Sequence, residues 1–175
     1  IVCDESEYTS AMEASVAAGR EHPSRILLVV TAPGRTASLD AEVHIGDATP
    51  GDVVVIRMRG AVAAHPASVI RPLLLPDSPV VIWWPGKVPH KQTADELAQL
   101  AMRRLTDAAA SGRPLVALKA RAADYTPGDT DLSWTRLTPW RALLAAALDQ
   151  YPAKIKAVVV ESERNNPSAD LLAAW

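Results

Sequence analysis

The chain has 175 residues with a formal net charge of −2 and an apolar share of 49%, enough for one ordinary domain with a substantial core. Near-balanced charge argues against bulk electrostatic binding to nucleic acid or an anionic membrane. One cysteine, Cys3, excludes an intrachain disulfide framework and fits a reducing, cytosolic setting, and no apolar run is long enough to span a bilayer.

In chain order, residues 10–19 read as a helix, with Ser10 and Glu13 at capping-box spacing and Gly19 as a stop. His22-Pro23 breaks the chain. The run Ile26 to Val30 reads as a strand buried on two faces. Leu39, Ala41, Val43 and Ile45 alternate with polar residues, which predicts a half-buried strand. Thr49-Pro50-Gly51-Asp52 is a turn signal, and Val53 to Met58 is another strongly apolar strand.

Residues 66–75 predict a short helix that Pro72 kinks or ends. Val80 to Trp84 predicts a strand closed by Pro85-Gly86. Thr93 and Glu96 form a second capping box, opening a helix to about Arg103. Residues 114–123 lean towards helix, and Tyr125 to Asp131 has loop composition. Thr138-Pro139 then starts an amphipathic helix through Trp140, Leu143, Leu144, Ala147, Leu148 and Tyr151, ended by Pro152. Trp140 opens the apolar stripe and is expected in the core. Ile155 to Val160 reads as a strand, and Ser168 starts a last helix. The expected fold class is α/β: a mixed, largely buried β-sheet with helices packed on its faces. Residues 1–175 read as a single domain, with the missing Met and the uncapped end suggesting a fragment truncated on each side.

No glycine-built phosphate loop, nucleophile elbow or metal-ligand spacing occurs, so no catalytic residue, cofactor or metal is assigned. Two clusters stand out. Neighbouring strand residues point to opposite faces, so Trp83 and Trp84 are both core only if the sheet is covered on each side. Otherwise one indole is exposed beside Pro85, Lys87 and Lys91 as a recognition surface. Arg136 and Arg141 lie near a helix N-terminus, where cations are disfavoured. Together with Arg103, Arg104 and Asp107 they form an ion-pair network, in which Asp129 and Asp131 could share, a pocket for a phosphorylated metabolite, or a protein contact.

Four blocks, in order, carry a family resemblance. They are His22-Pro23-Ser24-Arg25, the run from Leu74 to Pro85, Arg103-Arg104-Leu105-Thr106-Asp107, and the run from Gly128 to Arg141. The chain resembles the glucose-6-phosphate dehydrogenase assembly protein family, OpcA, in its actinobacterial form, over essentially its whole length. The resemblance implies a cytosolic, non-catalytic protein that promotes the active oligomer of glucose-6-phosphate dehydrogenase in the oxidative pentose phosphate pathway. In cyanobacterial relatives cysteines make this effect redox-responsive. This sequence has only Cys3 and so lacks a second thiol for an intrachain switch. The alternative is a sensor or enzyme that binds a sugar phosphate through its arginines. The sequence leaves a homo-oligomer open.

Overall fold

A computed structural model describes residues 1–22, 24–45, 51–150 and 154–175. The expectations resting on Pro23, Thr49, Pro50, Tyr151 and Pro152 lie outside the described residues. The chain is α/β and divides into two compact units, Ile1–Arg104 and Leu105–Trp175.

The first unit is built on a four-stranded mixed sheet. Its strands are β1 (Val2–Cys3), β2 (Ile26–Ala32), β3 (Ser38–His44) and β4 (Val53–Arg59), in the order β1-β2-β4-β3. β1, β2 and β4 run parallel, and β3 returns antiparallel along β4. Parallel pairing needs a crossover, which α1 (Tyr8–Glu21) supplies between β1 and β2. Alternation then sends each strand's residues to two cores. Leu28, Val30, Val53 and Val55 join Cys3 and Ala11 on one face. Val29, Ile56 and Met58 join Ala67, Ile70, Ile82, Trp84 and Leu97 on the other. The continuous apolar runs in β2 and β4 follow from this two-sided cover.

Glycines bracket β4. Gly51 has φ +97° and Gly60 has φ +61°, in the left-handed region that other residues enter at a cost. A Cβ on Gly51 would stand 2.7 Å from the Ser24 carbonyl oxygen, and one on Gly60 would stand 2.8 Å from that of Thr36. Neither position has room for a side chain.

Beyond β4 the chain forms α2 (Pro66–Ile70), continued by a 3-10 turn Arg71–Leu73 where Pro72 stops the α-helix. β5 (Val81–Trp84) follows, and β6 (Arg103–Thr106) begins where the Val80 carbonyl accepts the Met102 and Arg103 N–H groups.

In the second unit, α3 (Pro114–Ala123), β7 (Asp129–Asp131), α4 (Leu132–Thr135), α5 (Thr138–Gln150) and α6 (Pro167–Ala174) are short or exposed elements. The buried residues there include Thr106, Ala108, Ser133, Leu137 and Pro167, a small and partly polar set. The Asn166 side chain caps α6, accepting from the Ser168 and Ala169 N–H groups.

Several expectations need correction. α1 begins at Tyr8, and the Ser10 hydroxyl donates to the Glu7 carbonyl instead of forming a capping box. The helix expected from Thr93 to Arg103 is absent. 3-10 turns Gln92–Ala94 and Ala98–Leu100 stand there instead. Asp95 is extended (φ −79°, ψ 129°), which breaks the expected helix two residues in, and its carboxylate accepts the Ala98 N–H at 2.8 Å as a cap on the following turn. Pairing with Val80 then draws the chain into β6. Asp129–Asp131 is a strand within the expected loop. Ile155 to Val160 forms no strand, and Ile155, Val158 and Val159 are exposed. β3 exists, but Leu39 and Val43 are 52% and 58% exposed, so its apolar face is not half-buried. Trp140 is 58% exposed and outside the core.

Candidate functional site

β5 sends its two tryptophans to opposite sides. Trp84 is 2% exposed and packs in the core with Ile56, Met58 and Ile70. Trp83 is half-buried, and its indole Nε1 has no hydrogen-bond partner among the described residues. Pro85 is half-buried, and Lys87 and Lys91 are exposed. A Cβ on Gly86 would overlap the Glu7 carboxylate, so this loop packs closely on the start of α1. Lys87 also lies near Asp4. The Asp4 carboxylate titrates below its ordinary value, first because the Ser6 hydroxyl and backbone N–H donate to it and last because Lys87 attracts it.

The arginines take separate partners. Arg103 is exposed, and the Arg104 Nη1 donates to the Ala101 carbonyl at 3.0 Å. Arg136 forks onto Asp107: Nη1 donates to Oδ1 at 2.8 Å and Nη2 to Oδ2 at 2.6 Å. This bidentate bond, opposed by desolvation, raises the Arg136 guanidinium above its ordinary value. The Arg141 guanidinium lies 4.4 Å over the Trp134 ring and 5.3 Å over the Trp175 ring. Its Nε has no partner among the described residues.

The residue that organises this region, Asp131, does not stand out as an organiser in the sequence. Its carboxylate accepts from the Thr106 hydroxyl at 2.7 Å, the Ser133 N–H at 3.0 Å and the Ala108 N–H at 2.9 Å. It therefore caps α4 and anchors the 3-10 turn Ala108–Ala110. The available signal is Asp131-Leu132-Ser133, an Asp two residues before an N–H that it can cap. Asp107 serves the same turn, accepting the Ala109 N–H at 3.1 Å. Burial lowers the Arg121 guanidinium, and the charges of Asp131 and Asp124 act in the opposite sense. This is the chemistry of a folded scaffold: each carboxylate here has donors from the chain itself.

A cavity of about 480 Å³ in the first unit is lined chiefly by apolar residues, Leu27, Ile70, Leu74, Val80 and Leu100 among them, with Ser24, Arg25 and Ser78 as polar members. Neither the Trp83–Lys91 cluster nor the cluster of Arg103, Arg104, Arg136 and Arg141 contributes to its lining. Among the described residues no group of three or more His, Cys, Asp or Glu could hold a metal, and no helix is long and apolar enough to cross a membrane.

Apolar surface is exposed in two places. On β3, Leu39 and Val43 share one face, continued by Ile45. In α5, Trp140, Leu143, Leu144 and Leu148 are all exposed. Contiguous exposed apolar surface commonly marks protein contact.

Two family models, described as the N-terminal and the C-terminal domain of a glucose-6-phosphate dehydrogenase subunit, match the chain. The first covers residues 15–123 and the second residues 127–175. Nothing among curated proteins or solved structures matches the chain.

Proposed function

The chain belongs to the OpcA family of glucose-6-phosphate dehydrogenase assembly proteins, and from that premise we propose that it is a cytosolic, non-catalytic factor that binds the dehydrogenase and promotes its active oligomer. The observation that carries this reading is that the two family models take up the chain in sequence, residues 15–123 and then 127–175. Exposed apolar surface on β3 and α5 supports a role in protein contact.

Such a factor works only by binding the active oligomer more tightly than the inactive form. Moving a 1:99 population to 99:1 takes roughly 5.5 kcal/mol of differential affinity. The docking surface we assign is Trp83 with Pro85, Lys87 and Lys91. Trp84 would act from beneath, holding β5 in place. The sugar-phosphate reading has less support, because Arg136 is committed to Asp107 and Arg104 donates to a backbone carbonyl.

The test is light scattering on a gel-filtration column with the cognate dehydrogenase, followed by assay of the peak. Co-elution with raised activity is expected, and Lys87→Glu with Lys91→Glu should abolish it while leaving the fold intact. An unchanged elution profile and unchanged activity would reject the assembly role.

A further inference from the structure

α5 contains no buried residue, and Arg141 alone in it is half-buried. From Ala142 to Leu148 every side chain is alanine or leucine. A helix apolar on all sides is stable in water only when something covers it. Its charges are confined to Arg141 near the N-terminal end and Asp149 near the C-terminal end. Neither makes an ion pair among the described residues. Trp134 and Trp175 hold the Arg141 guanidinium by its faces, which leaves its N–H edge for a carboxylate.

We propose that α5 pairs antiparallel with α5 of a second copy of this chain, around a two-fold axis passing by Ala145. The spacing of the helix carries the inference. Arg141, Leu144, Ala145, Leu148 and Asp149 fall at offsets 0, 3, 4, 7 and 8, which places them on one stripe. Ala145 lies midway between the two charges. An antiparallel two-fold at that point sets Arg141 against Asp149 of the second copy, and Asp149 against its Arg141. A two-fold interface must be self-complementary in this way. It also sets Leu144 of each copy beside Ala145 of the other, and staggers Leu148 between Arg141 and Ala145 of the second copy. Large side chains then meet small ones, and the helices can approach to about 8 Å. A parallel pair would place Arg141 against Arg141 and lose all of this. The partner chemistry is thus a second copy, and the dehydrogenase is not required for it.

The test is sedimentation of the chain alone over a range of concentrations. The expected species is a dimer of twice 18.7 kDa. Asp149→Arg sets two arginines face to face at each end and should weaken dimerisation by roughly tenfold or more. The double exchange Arg141→Asp with Asp149→Arg should restore it. Ala145→Cys reads the axis directly: the two thiols would meet and cross-link under mild oxidation, whereas Ala146→Cys, turned about 100° away, would not. Buried Cys3 gives little background. A monomer at every concentration overturns the proposal, and so does equal cross-linking of the two cysteine variants. If Asp149→Arg instead leaves a monomer unchanged but removes binding to the dehydrogenase, the face belongs to that enzyme and the second copy is rejected.

Discussion

The first unit is held by apolar burial and the second by polar anchoring. In the first, Leu28, Val53, Val55 and Met58 are entirely inaccessible, and the sheet is covered on two faces. In the second, α3 and α5 contain no fully buried residue, and the fold hangs on Asp131, Asp107, Arg136 and Asn166. A core of the first kind is robust to solvent and intolerant of lost volume. An anchor of the second kind depends on a few specific donors and acceptors, and it leaves apolar surface free for partners.

The sharpest way to break this contrast is to hollow the first unit. Met58→Ala should cost about 3 kcal/mol through lost burial and a residual cavity, measured by urea unfolding with Trp84 as the buried reporter. Next, Asp131→Ala should cost about 2 kcal/mol by orphaning the Thr106, Ala108 and Ser133 donors, and Asp131→Asn should recover part of it. A larger loss at Met58 than at Asp131 sustains the comparison; the reverse order would undo it. Arg136→Ala should cost no more than about 1 kcal/mol, since Arg136 is half exposed and solvent screens the pair. Leu143→Gln, on a 63% exposed side chain, should change stability by less than about 0.5 kcal/mol.

Cys3 sharpens the contrast without an energy. Burial pushes its thiol up to about 11 from an ordinary 9.0, with the Glu7 charge adding to the effect. The native thiol therefore stays protonated where the unfolded one ionises. Its contribution to stability is complete below pH 9.0 and is lost as pH rises towards about 11. Thiol labelling at mildly alkaline pH should accordingly be slow in the native chain and fast in urea; fast native labelling would show that this face of the sheet opens readily.

Legibility in the sequence cuts across this division. β2, β4, α3 and α6 are readable because local pattern and tertiary environment agree; α5 is readable as a helix from its period, but its apolar stripe lies exposed where the pattern expects a core. β3 is readable from its alternation, yet Leu39, Ala41 and Val43 do not say whether anything covers them. The stretch from Thr93 to Arg103 misleads because a good capping signal is overruled by the extended backbone at Asp95 and by the pairing of Met102 and Arg103 with Val80. Ile155 to Val160 has strand composition, but composition supplies no neighbouring strand with which to pair. The Arg136–Asp107 pair can be named only as one of three fates for the cluster, since pairing over 29 positions is a property of the fold. Asp131 is easily underweighted because a single capping carboxylate looks like any other loop residue until its donors converge.

The two glycines around β4 have a consequence for how such a chain can change over time. The central strand sits between two positions that admit no Cβ, so its length is measured off at each end. Gaining or losing one residue between Gly51 and Gly60 would shift a bulky side chain onto a carbonyl. It would also turn Val53, Val55 and Met58 to the wrong sides of the sheet. Insertions and deletions should therefore accumulate outside this interval, and the spacing from Gly51 to Gly60 should drift more slowly than the identity of any residue within it.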